Sequence, residues 1–163
     1  MSRVTLIQHI NIQISDRERT REWYEKVLGA EFLDRGPELN KRQLQLRIGS
    51  AEIHTTHTAE PVPSGHFAVE IPDWDEMIAN LDKLGVPYQG SPPIAKTSES
   101  GSTYGHRQYS GGYSTYIRDP DGNRIELVHH PLGVEDSKGN KVELPHDSKS
   151  LKWSLRPGYG PSA

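Results

Sequence analysis

Tyr116-Ile-Arg-Asp-Pro-Asp-Gly-Asn-Arg-Ile-Glu126 is the stretch from which the rest of the chain can be placed. Asp119 to Asn123 reads as a tight turn, with Pro120 presetting φ and Gly122 free to take positive φ. Two β-prone runs flank it, Tyr113 to Arg118 and Arg124 to Val128, so the segment is a hairpin. In the second run Ile125 and Leu127 alternate with Arg124, Glu126 and Val128. One face is therefore apolar, and the other carries a carboxylate in mid-strand. A buried Glu needs a charge partner or a metal.

Working outward from the hairpin, the chain shows a repeat. Val4 to Ile14 alternates as a strand, and Ser15-Asp-Arg-Glu18 reads as a capping box for a helix with Trp23, Tyr24, Val27 and Leu28 at helical spacing. Gly29 ends that helix, and short runs follow at Glu31 to Leu33, Gln43 to Ile48 and Ala51 to Thr56. The same order recurs from His66 to Ile71. Asp73-Trp-Asp-Glu76 opens a helix with Trp74, Met77, Ile78 and Leu81, Gly85 stops it, and Val86 to Tyr88 then the hairpin complete the copy. Superposing the copies sets His9 over His66 and Ile53-His54 over Ile125-Glu126.

The expected fold is α+β: two paired βαβββ modules, residues 4–58 and 65–130, forming a curved mixed sheet around a metal-binding cavity with the helices outside. Together they make one domain over residues 1–132. A loop at 89–112, rich in Gly, Ser, Thr and Pro, interrupts the second module and carries Tyr104, His106, Arg107 and Tyr109. Residues 133–163 read as an irregular polar tail with Trp153, Leu155 and Tyr159 as anchors.

Composition narrows the function classes. The formal charge of -3, with acids and bases interspersed, speaks against nucleic acid or an anionic membrane as partner. No apolar run is long enough to span a bilayer and no signal peptide is visible, so a cytoplasmic protein is expected. The chain has no cysteine, which excludes disulfides, thiolate ligands and a cysteine nucleophile. Any metal must be held by His and carboxylate.

The polar face of the strands is too polar for a core. It carries His9, Asn11 and Gln13; Gln43, Gln45 and Arg47; Glu52, His54 and Thr56; His66 and Glu70; and Tyr116 and Glu126. His9, His66 and Glu126 lie on three separate strands of that face. Two imidazoles and one carboxylate are the donor set favoured by non-haem Fe(II); Mn(II) fits the same ligands. Asn11, Gln13 or Glu70 would orient the imidazoles. His57, His129, His130 and His146 fall outside the constellation and read as surface residues.

On these residues the chain resembles the vicinal oxygen chelate superfamily, whose paired βαβββ modules place metal ligands at the equivalents of His9, His66 and Glu126. Within it, the chain resembles the type I extradiol dioxygenases. They share a His where His54 stands and a motif matched in order by His106, Tyr116, Asp119-Pro120-Asp121-Gly122 and Glu126. Thr115 occupies a slot that is aliphatic in the family, and the spacer after His106 is longer than the family's. In size the chain is similar to the compact L-DOPA-cleaving enzymes of antibiotic biosynthesis.

The resemblance implies an iron enzyme that uses O2 to open a small catechol. His54, Tyr116 and His106 would be catalytic, and Arg47 and Arg107 would meet a substrate acid. The alternatives are a glyoxalase I-like or fosfomycin-resistance-type metalloenzyme, or a metal-free drug-binding protein. A site closed within one chain and one closed across a homodimer are both compatible with the sequence.

Overall fold

The computed structural model describes residues 7–63, 65–108, 110–135 and 138–142. The start of the expected first strand at Val4 and Leu6, Tyr109, His146 and the anchors Trp153, Leu155 and Tyr159 lie outside these residues. The described chain divides between Ser64 and Gly65 into two compact units.

The first unit runs β1 (His9–Ile14), α1 (Arg17–Leu28), β2 (Glu31–Phe32), α2 (Pro37–Arg42), β3 (Gln45–Ile48) and β4 (Ala51–His57). Its sheet has the order β1-β4-β3-β2, with β1 parallel to β4 and the other pairs antiparallel. A parallel pair needs a crossover, which α1 begins. Of the helix residues at apolar spacing Tyr24 and Val27 are buried, whereas Trp23 and Leu28 are part-exposed; Ile12, Ile14, Leu46 and Ile53 complete the centre of the core.

Two local readings change. Asp16, not Ser15, caps α1: its carboxylate accepts from the Arg19 N–H at 2.9 Å, while Ser15 Oγ accepts from the Arg19 guanidinium at 2.8 Å. The Asp is extended at φ -142° and already one residue nearer the first turn. The short helix α2 was not foreseen. Pro37 opens it, and the Asp34 carboxylate accepts the Gly36 N–H at 2.8 Å, so β3 starts at Gln45 rather than Gln43.

The second unit runs β5 (His66–Glu70), α3 (Trp74–Leu84), β6 (Ile94–Thr97), β7 (Thr103–Arg107), β8 (Gly112–Arg118) and β9 (Arg124–His129). The short strands β10 (Val134–Glu135) and β11 (Lys141–Val142) follow. The main sheet has the order β5-β9-β8-β7-β6, with β5 parallel to β9; β10 and β11 form a separate ladder. The stretch from residue 133, expected to be irregular, thus carries a small antiparallel pair.

The Asp119–Asn123 turn forms as expected. Gly122 takes φ 83°, and Asp119 Oδ1 accepts the N–H groups of Asp121 and Asn123 at 3.0 and 2.8 Å. Ile125 and Leu127 are fully buried on one face of β9.

The segment expected as a loop at 89–112 instead supplies β6 and β7, which extend the sheet beyond β8. The edge of β8 offers unpaired backbone groups that a neighbouring strand satisfies. Gly105 on β7 permits this fit, because a Cβ there would lie 2.0 Å from the Ser91 carbonyl oxygen. The expected strand at Val86 to Tyr88 shrinks to one bridge, Gln89 with Tyr116.

The repeat holds at the level of register. His9 stands beside Glu52 across the parallel pair of the first unit, and His66 stands beside Arg124 across that of the second. His54 and Glu126, two residues further along their strands, therefore occupy equivalent positions. No helix among the described residues is long and apolar enough to cross a membrane.

Candidate functional site

In the second unit the parallel pairing of β5 and β9 brings His66 to Glu126, with Nε2 and Oε2 3.2 Å apart. Glu126 is 7% exposed, so its charge must be compensated. Besides His66, Arg107 of β7 sets its guanidinium on Glu126 Oε1. The carboxylate thus offers one oxygen to an arginine and the other to a histidine. The partner that the sequence required for Glu126 is in part Arg107, a residue expected to meet substrate.

Tyr116 faces Glu126 directly across the β8–β9 pair and meets His66 edge-on, ring centres 5.8 Å apart. The Arg124 guanidinium lies over the Tyr116 ring at 4.6 Å and reaches His66 Nδ1 at 3.2 Å. Burial and the Glu126 charge raise the Tyr116 hydroxyl above its ordinary 10.0, with the two arginines opposing. At neutral pH this phenol is a hydrogen-bond donor, not a base.

A groove of about 360 Å³ reaches Glu126 within this unit. Its walls include Pro92, Pro93, His106, Arg107 and Tyr116. His106 stands on β7 with its ring 5.9 Å from Tyr113. A larger groove of about 530 Å³ in the first unit, lined by Arg17, Arg42, Gln43 and His57 among others, contains none of the candidate catalytic or metal-binding residues.

The first unit builds a second cluster. His9 stacks on His54 with ring centres 4.1 Å apart, and its Nδ1 is 2.5 Å from Gln8 Oε1. His54 Nε2 meets Glu52 Oε2 at 2.9 Å, and Arg35 meets Glu52 Oε1 at 2.7 Å. Glu52 is 2% exposed. Burial would raise its carboxyl, but the hydrogen bond from His54 and the charge of Arg35 more than offset this and hold it below its ordinary 4.5.

A carboxyl depressed by folding stabilises the fold above its unfolded pKa, and that contribution fades as pH falls through the folded value. Wild-type protein should therefore lose more stability than Glu52→Gln between pH 6 and pH 3. Urea unfolding at stepped pH measures the gap, and parallel curves would show that Glu52 contributes nothing.

Sequence reasoning placed Glu52 on the polar face but missed its role and missed Arg35 altogether. The available signal was a pattern shared with Glu126, an acid flanked on both sides by apolar residues: Ala51 and Ile53 here, Ile125 and Leu127 there. Arg47 does stand opposite Glu52 across the β3–β4 pair, yet it is 5% exposed and its ion pair is with Glu31, on its other side, at 3.6 Å.

The expected imidazole supports also differ. Asn11 accepts from Thr56, Gln13 from the Val62 N–H, and Glu70 holds His130 at 2.7 Å. Gln8 and Arg124 contact His9 and His66 in their place. His129 and His130 are half-buried rather than surface residues, because they clasp the end of β5 through Ile71 and Glu70.

Within neither unit do the described residues gather three His, Asp or Glu side chains close enough to hold a metal. His66 and Glu126 fit two positions of such a centre. Ligands at about 2.0–2.1 Å and near right angles stand ~3 Å apart, close to the observed 3.2 Å. His9 belongs to the other unit.

Comparison with known proteins identifies the superfamily. The family model described as Glyoxalase/Bleomycin resistance protein/Dioxygenase superfamily matches residues 6–127. The chain belongs to this superfamily. A trivalent organoarsenical cleaving enzyme from Bacillus sp. (strain MD1) is 22% identical over 129 residues, 79% of this chain and 76% of that protein.

Among solved structures, a glyoxalase family protein from Bacillus anthracis matches 80% of this chain and 98% of its own at 24% identity, with a TM-score of 0.64. Lactoylglutathione lyase from Agrobacterium tumefaciens matches the same shares at 22% identity and 0.58. The oxidase ChaP-H2 matches 79% and 96% at 18% and 0.61. At these identities the structures speak for the superfamily fold alone. Superfamily members are commonly enzymes, and typically metal-dependent ones.

Proposed function

We propose that this chain is an extradiol-type dioxygenase that opens a catechol with O2 at an Fe(II) centre held by His9, His66 and Glu126. Mn(II) suits the same ligands. The observation that carries the reading is the His9–His54 stack: an imidazole bonded to a buried carboxylate sits 4.1 Å from a proposed ligand. Ring opening needs such a proton carrier beside the metal.

A metal held by His9, His66 and Glu126 would supply a positive centre that favours an anionic catechol and activates O2. His54 takes the proton of the second hydroxyl and later returns it to an oxygen derived from O2. The Tyr116 hydroxyl, kept neutral, donates a hydrogen bond to the substrate oxygen. His106 and Arg107 line the groove that receives the rest of the substrate. Both atoms of O2 enter the product, so no external reductant is consumed.

The substrate class in this reading is a catechol with an acid group, such as L-DOPA: Arg107 lines the groove, and the N–H donors it does not spend on Glu126 would meet that acid. Arg47, buried beside Glu31, is the weaker of the two proposed substrate cations.

The organoarsenical relative suggests a second reading. Trivalent arsenic is a soft centre that favours thiolates, and this chain has no cysteine. That composition favours the catechol. A panel of catechols and a trivalent phenylarsenical, incubated in air with Fe(II)-loaded protein, separates the two. Yellow product and O2 uptake are expected with catechols, strongest with acid-bearing ones. Cleavage of the arsenical with no catechol turnover would replace the proposal.

A further inference from the structure

Glu52 is the most deeply buried acid among the described residues, and neither a metal nor a substrate contact is assigned to it above. A carboxylate at 2% exposure is destabilising unless its oxygens are engaged by donors. Both are. Oε1 accepts from Arg35 at 2.7 Å and Oε2 lies 2.9 Å from His54 Nε2.

Arg35 is itself fixed from several sides. Its Nε donates to Gln45 Oε1 at 3.0 Å, and its backbone N–H donates to Asn40 Oδ1 at 3.1 Å. Asp34 Oδ1 accepts from Asn40 Nδ2 at 2.8 Å and from the Gly36 N–H at 2.8 Å, tying the turn before α2 together. The unforeseen helix α2 therefore has a use: its turn anchors the arginine that holds Glu52.

An ionised carboxylate can only accept hydrogen bonds, so the proton between Glu52 and His54 belongs to the histidine. That leaves Nδ1 as the basic atom of the neutral ring. Stacking on His9 fixes the ring plane as well.

We propose that Glu52, braced by Arg35, is the positioning residue for His54: it holds the imidazole as the Nε2–H tautomer and presents Nδ1 for proton transfer. The role rests on the dioxygenase reading for its use, but the tautomer itself does not. Loss of such an orienting partner typically costs ~10–100-fold in activity.

The test pairs a spectrum with kinetics. Zn(II)-loaded protein is diamagnetic, so long-range proton–nitrogen NMR can report which His54 nitrogen carries the proton, with His54→Phe identifying the signals. Wild type should show Nε2–H alone, and Glu52→Gln should show a mixture or Nδ1–H. With Fe(II) and a catechol, Glu52→Gln should lose ~10–100-fold in kcat, with KM and metal content little changed.

A wild-type proton on Nδ1 would overturn the proposal, as would an unchanged kcat in a folded Glu52→Gln. If that variant does not fold, the wild-type spectrum alone decides. If no catechol is turned over by wild type, the dioxygenase reading falls, while the spectrum still decides whether Glu52 orients His54.

Discussion

Glu126→Ala should be purified with little bound iron and should lose on the order of 10³-fold or more in catechol turnover. Metal binding in this proposal rests on three protein ligands, and a bound metal typically supplies several kcal/mol of transition-state stabilisation. Each ~1.4 kcal/mol is tenfold in rate, so loss of the centre is a loss of several decades. The same change strips Arg107 of the carboxylate that accepts its hydrogen bond.

Glu126→Gln serves as the companion variant, because it keeps the size and a neutral acceptor for Arg107 while removing the ligand charge. Metal analysis after anaerobic loading reads both. His9→Ala and His66→Ala should lose metal alike. Full occupancy in any of the three would remove that residue from the ligand set.

His54→Phe should keep iron and still bind catechol, yet lose ~10²–10⁴-fold in turnover, the usual contribution of a positioned acid–base group. The phenyl ring preserves the stack on His9 but has no nitrogen to move a proton. It also leaves Glu52 with Arg35 as its remaining charged partner, so thermal unfolding should be measured beside activity. Tyr116→Phe should lose less, since it removes one neutral hydrogen-bond donor. If iron were lost from His54→Phe, the residue would be a fourth ligand, and a lyase reading of the glyoxalase kind would move ahead.

The two positions differ in how visible they were. Glu126 announced itself because a charged residue interrupts an apolar strand four residues after an Asp-Pro-Asp-Gly turn. Local patterning carries that information: period-two alternation assigns faces, and turn residues set where the strand begins. His9, His54 and His66 were found the same way, by superposing two copies of one local pattern. Register then confirmed the superposition, since His9 pairs with Glu52 and His66 with Arg124.

Arg35 and Arg107 were harder. Each reaches its acid across 17 and 19 residues of chain respectively. A long flexible cation can serve any of several carboxylates, and the choice depends on which strand edge its loop comes to rest beside. Arg107 was assigned to substrate because its segment was read as a free loop. Once that segment pairs with β8 as β7, its guanidinium meets Glu126.

By itself, then, the chain's alternation, its two capped helices and its turn chemistry determined two βαβββ units and a polar strand face bearing three histidines and Glu126. These features depend on residues near one another in sequence, where backbone geometry dictates which side chains share a face. Tertiary structure alone decided that 89–112 adds two strands, that α2 anchors Arg35, and that Glu52 and Glu126 are each held by one arginine and one histidine. Burial sets those pairings: a carboxylate removed from water takes whatever donors the fold brings within reach, and period and propensity do not encode that distance.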